Sequence, residues 1–162
     1  MNIFRDNSQN SKEGVIMEQV KSNSEIVAEI YRNAQLALTS ISDIIPEVDD
    51  GGIREEIMRE HEEYEKICSR AAQLALKYDL DLKGPSAIKK AMMWSAIKMG
   101  TANDNSSQNI AQMMIRGTVN GITSLKTSLT DGDKVMDPEV KKLLNELITL
   151  EEGFEKQLKK FL

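Results

Sequence analysis

Four stretches of this chain place apolar residues in alternating steps of three and four, and no stretch places them convincingly in steps of two. The first reads Val27, Ile30, Ala34, Ala37, Ile41 and Ile44. The second reads Ile57, His61, Tyr64, Cys68, Ala71, Ala75 and Tyr78. The third is Ala111, Ile115, Thr118, Ile122, Leu125 and Leu129, and the fourth Val140, Leu144, Leu147, Glu151, Phe154, Leu158 and Phe161. At 3.6 residues per turn such steps put every member on one face, and each face must find a partner. A half-buried strand needs strict alternation instead. The chain is therefore expected to be all-α. Its three prolines and its 4% of aromatic residues point the same way.

Punctuation sets the boundaries. Ser22 and Glu25 stand in capping-box spacing, with Ser24 as the alternative cap, so the first helix starts within 18–24. It stops at Ile45, because Pro46 disfavours helical geometry in the residue before it. Asp49-Asp50-Gly51-Gly52 reads as a turn into a second helix over 53–79. There Glu55 with Arg59 and Glu62 with Lys66 form i,i+4 pairs. The run from Asp81 to Pro85 breaks the chain. A shorter helix follows over 86–101, then the polar run from Asn103 to Asn109, then a helix over 106–130. The sequence leaves open whether 86–131 is one kinked helix or two. Asp131-Gly132 supplies the stop, and Asp137 with Pro138 opens the last helix. Residues 1–17 are polar and aperiodic and read as a flexible tail, leaving 18–162 as one domain.

Short turns join the first two long helices and the last two, so each pair is expected to be an antiparallel hairpin. The connection from 80 to 105 differs. Its 16-residue helix spans ~24 Å, enough with its flanks to run the length of a bundle of ~38 Å helices. The expected architecture is a four-helix bundle with a long crossover containing a shorter helix.

Charge and composition exclude several classes. A formal net charge of −5 lacks the basic surface that nucleic-acid binding uses. One cysteine permits neither an internal disulfide framework nor a thiolate metal cluster. No apolar run approaches the ~20 residues of a membrane span, and the N-terminal residues lack a signal core, which implies a cytoplasmic protein. No phosphate loop, Ser-His-Asp order or zinc-finger spacing is present.

The stretches MMWSAIKMGTANDNSSQNIAQMMIRGTVNGI and LLNELITLEEGFEKQLKKFL, within 86–162, resemble small ferritin-like proteins of Gram-positive, spore-forming bacteria. The whole chain resembles the ferritin-like superfamily in architecture. That resemblance implies a test for a di-iron centre, which takes a carboxylate from each of two helices and a Glu-x-x-His pair from each of the others. Here Met58 stands three residues before the only histidine, His61. Phe154 stands three after Glu151, and Asn33 or Ala34 occupies the first helix where a carboxylate is expected. The 106–130 helix has no acid. Two of the six ligands remain. The resemblance with its ligand positions lost implies a non-enzymatic structural or interaction protein, acting as a homodimer and holding no cofactor. The alternative is a single iron, manganese or zinc ion at His61 and Glu151, completed by Glu60, Glu65 or water. By spacing both residues fall on core seams, so they are also expected as a buried polar pair, with Tyr64 or Asn33 assisting.

The acidic run Glu60–Glu65 reads as a solvated face, and Cys68 as an inert buried thiol. Met92, Met93, Trp94 and Ile97 are many large apolar groups for one short helix. They either cover the bundle or, with Gly117 and Gly121, form the candidate dimer surface. A third reading is a ligand-binding bundle, marked by a deep cavity near Met92, Met113 and Met114.

Overall fold

The computed structural model describes residues 21–162, and every regular element in that range is helical. The elements are α1 (Asn23–Ile44), α2 (Gly51–Lys77), α3 (Ala87–Thr101), α4 (Ser107–Gly132) and α5 (Pro138–Leu158), with 3₁₀ turns at Ile45–Glu47 and Lys159–Phe161. The tail expected over 1–17 lies outside the described residues. No described helix is long and apolar enough to cross a membrane.

Side-chain caps fix most of the helix starts. The Glu25 backbone N–H donates to Ser22 Oγ (3.2 Å), and the Ser22 N–H donates to Glu25 Oε2 (2.7 Å), which completes the capping box. Asp50 Oδ1 accepts from the Ile53 N–H at 3.0 Å. That cap draws Gly51 and Gly52 into the first turn of α2, where the sequence pattern suggested a loop. Ser86 and Ser106 cap α3 and α4 in the same way, so 86–131 is two helices. Asp137 precedes Pro138 as expected, but its carboxylate accepts from the Tyr78 hydroxyl and leaves the α5 N–H groups uncapped by side chains.

α1 packs along α2, and α4 along α5; α2 also packs on α5. Directions follow from contacts at the ends. The Lys77 ammonium meets Glu139 at 3.1 Å, and the rings of Tyr64 and Phe154 lie 5.4 Å apart, so α2 and α5 run in opposite senses. Lys21 Nζ donates to Ser128 Oγ (2.8 Å), and Asn105 Nδ2 donates to Asp49 Oδ2 (2.7 Å), so α1 and α4 are likewise opposed. α3 carries the chain from the end where α2 finishes to the end where α4 begins. It packs on α1 and α4, which meet each other only sparingly.

On α2 the buried face is Ile53, Ile57, Glu60, Tyr64, Ile67, Cys68, Ala71 and Ala75. The expected seam entered one residue late at one level, choosing His61 where Glu60 faces inward. The expected i,i+4 ion pairs are replaced by Glu56–Arg59 and Glu63–Lys66, one turn position closer. On the other helices the seams agree with the burial, except that Ala37, Ile115, Thr118, Leu129 and Phe161 are only partly covered.

Candidate functional site

Because α1 and α4 stand apart, a cleft of about 1390 Å³ opens between them, with α3 along its length. Small side chains keep the space open, notably Ala37 and Ser40 on α1 and Gly117 and Gly121 on α4. No heavy atom lies within 4 Å of the place a Cβ on Gly117 would take. Ile41, Ile97, Met93, Met113 and Met114 give the cleft an apolar wall, with Ser40 Oγ donating to Met93 Sδ. Arg32, Lys89 and Arg116 stand exposed at its rim.

The polar floor comes from the two helices on the far side. Glu60 and Tyr64 descend from α2 and Glu151 from α5, on faces that are otherwise core. Glu60 is 1% exposed and Glu151 2%. The Tyr64 hydroxyl donates to Glu151 Oε1 across a long 3.5 Å. Glu60 Oε1 and Glu151 Oε2 have no hydrogen-bond partner. Leaving a buried polar atom unpaired costs about 1–3 kcal/mol, so native interiors seldom tolerate it.

Burial sets the ionisation of these groups. It pushes the Glu60 carboxyl up to about 8; the Glu56 carboxylate adds to the rise, Arg59 opposes it, and Glu151 adds a smaller part. Burial pushes Glu151 up to about 8 as well, against the pull of the Tyr64 hydroxyl. The Tyr64 phenol is held well above its usual range by burial and by the charges of the two carboxyls. At neutral pH both acids are therefore mainly protonated.

Gly121 is the point where α4 meets this floor. A Cβ there would stand 2.7 Å from Glu151 Oε2 and 3.0 Å from Asn33 Nδ2. The missing side chain is what lets the carboxyl of α5 and the amide of α1 reach one place.

His61 faces elsewhere. Its Nδ1 lies 3.8 Å from Glu65 Oε2 on the outer surface of α2, and it does not line the cleft. No hydrogen bond joins His61 to Glu151, whose side-chain hydrogen bond comes from Tyr64. Among the described residues no three His, Cys, Asp or Glu side chains are grouped to hold a metal ion, so the donors present do not fit the di-iron set the resemblance implies. Of the proposed dimer residues, Met93, Ile97, Gly117 and Gly121 line the cleft, while Met92 and Trp94 face outward. Met113 and Met114 lie in the cleft as the cavity reading required, with Met93 rather than Met92 beside them. Cys68 is buried, with Gln35 Nε2 donating to its sulfur at 3.4 Å, and burial pushes the thiol up to about 11.

The sequence pattern does not mark Glu60 as a site residue in its own right, because an acid inside an acidic run reads as solvated. The signal is its place seven residues after Ile53 and seven before Ile67. No protein-family model, curated protein sequence or solved structure matches this chain.

Proposed function

We propose that this chain is a ferritin-like four-helix bundle, with α3 as the helix of its crossover, that holds a small organic molecule between α1 and α4 and performs no chemistry on it. The observation that carries the reading is the pair of buried, unpartnered oxygens, Glu60 Oε1 and Glu151 Oε2, at the floor of a cleft with an apolar wall. A large concave apolar site with a few convergent polar groups is the usual form of a ligand pocket. The opposed directions of α1 with α4 and of α2 with α5, linked by α3, support the ferritin-like arrangement. Binding of Nile red, a neutral environment-sensitive dye, tests the reading. Saturable binding that Gly117→Trp abolishes, with helicity retained, is expected, since the indole enters open space at the cleft wall. Absence of binding, or equal binding by the variant, overturns it.

A second reading is self-association through the outer face of α3. Ile88, Met92 and Met99 are large, exposed and aligned there at steps of four and seven, which favours a second copy as the cover.

A further inference from the structure

Resting on the cleft reading, we infer that the ligand is an organic ammonium ion with an apolar body, its head between Glu60 and Glu151 and its body along the methionine wall. An ammonium carries three donors and no acceptor, which matches a floor whose open valences are carboxyl oxygens. A carboxylate or phosphate head would be buried at a floor with no free cation beside it among the described residues, since Arg32, Lys89 and Arg116 stand at the rim. A hydroxyl would satisfy one oxygen but carries no charge to favour ionisation of either acid, so it gains no charge-assisted bond. A charge-assisted hydrogen bond is about twice as strong as a neutral one, and more so where water is excluded.

The body follows from the spacing on α4. Gly121 marks the level of the carboxyls and Met113 and Met114 the far wall, so the two are separated by ~11 Å of helix rise. An extended octyl chain covers that distance. Methionine thioethers adapt to chains of varied shape, which suits a binder selective for the head and tolerant of the body.

Ammonium binding also moves a proton. In the empty cleft both carboxyls are mainly protonated at neutral pH, because burial raises them to about 8. To pair with an ammonium one of them ionises, and its proton leaves to solvent; the other stays protonated and keeps the two acids from repelling. Facing these carboxyls are Glu56, Arg59 and Tyr64 from α2 and the neutral Asn33 amide from α1. Arg32, Lys89 and Arg116, and Lys21 in its 2.8 Å pair with Glu29, sit at the rim. None of the rim groups contributes to either shift.

Calorimetry with octylamine, octanol, octanoate and manganese chloride on the full chain tests this, alongside Nile red displacement. Octylamine is expected to bind roughly ten- to a hundredfold tighter than octanol, the range of one charge-assisted hydrogen bond. Its affinity should rise by up to about tenfold per pH unit between about pH 6 and pH 8, with about one proton released per ligand. Glu60→Gln with Glu151→Gln, checked for native melting, should remove both the preference for octylamine over octanol and the proton release. Octanol binding as tightly as octylamine overturns the ammonium assignment and leaves the cleft reading standing. Failure of Nile red and every organic probe removes both. Manganese binding that displaces octylamine and is lost in the double variant makes this a metal site and overturns the inference.

Discussion

A methyl group on Gly121 would stand 2.7 Å from Oε2 of Glu151, closer than any relaxed contact, whereas one on Gly117, a turn earlier on the same helix, would meet nothing. The two glycines therefore have different reasons to be there. Both weaken a helix interior by about 1 kcal/mol relative to alanine. Gly117→Ala should recover about 0.5–1 kcal/mol in denaturant midpoint. Gly121→Ala gains the same propensity but must push a buried carboxyl off its seat, so it should be no more stable than the parent. Equal gains in the two variants would mean that Glu151 does not lie against α4.

Stability should depend on pH through Glu60 and Glu151, with the sign opposite to the usual acid behaviour. Each carboxyl is raised in the folded chain, from the 4.5 of an exposed glutamate to about 8. Below about pH 4.5 both states hold the proton, and the folded state bears no penalty from these groups. As pH rises toward 8 the unfolded chain releases both protons and the folded chain does not, so stability falls by roughly 1.4 kcal/mol per unit for each group. Glu60→Gln and Glu151→Gln keep the shape and cannot ionise. Each should raise the stability at about pH 8 by an amount on the order of 2–4 kcal/mol, seen as a higher melting temperature, and change it little at about pH 5. No gain at about pH 8 would show that the acids are already solvated in the folded chain.

The fold was largely legible because long seams and side-chain caps act locally. Ser22 with Glu25 and Asp137 with Pro138 mark helix starts without help from distant residues. The cleft was not legible, since it depends on how far α1 stands from α4, a distance that no single helix encodes. Glu151 was readable as a buried acid because it interrupts an apolar seam. Glu60 was hidden by its neighbours: within Glu60-His61-Glu62-Glu63 a histidine looks like the better core residue. The structure reverses that choice because Ile53 and Ile67, seven residues before and after Glu60, are buried on the same face.

His61 should consequently be dispensable. Its side chain is 26% exposed, and its Nδ1 lies 3.8 Å from an exposed glutamate one turn on. Exposed pairs of this kind contribute about 0–1 kcal/mol. His61→Ala is expected to stay within about 0.5 kcal/mol of the parent by chemical denaturation and to leave Nile red binding unchanged. A loss of several times that size, or loss of a bound metal, would return His61 to the site.

The outer face of α3 gives the last prediction. Met92 and Met99 are 69% and 79% exposed, and Ile88 lies on the same stripe. Three large apolar groups in one line are enough to favour contact, but a stable dimer buries about 800 Å² on each partner. A 15-residue helix is ~22 Å long and ~10 Å wide, so one face of α3 supplies well under that area. Association through α3 alone should therefore be weak, rising with concentration in analytical ultracentrifugation. Met92→Lys with Met99→Lys should abolish it by placing like charges across the contact, beside the Lys89, Lys90 and Lys98 already on this helix. Neither methionine lines the cleft, so the same variant should bind Nile red as the parent does. Association that survives the double substitution would move the interface elsewhere on the bundle. Loss of dye binding with it would mean that the cleft is completed by the second copy.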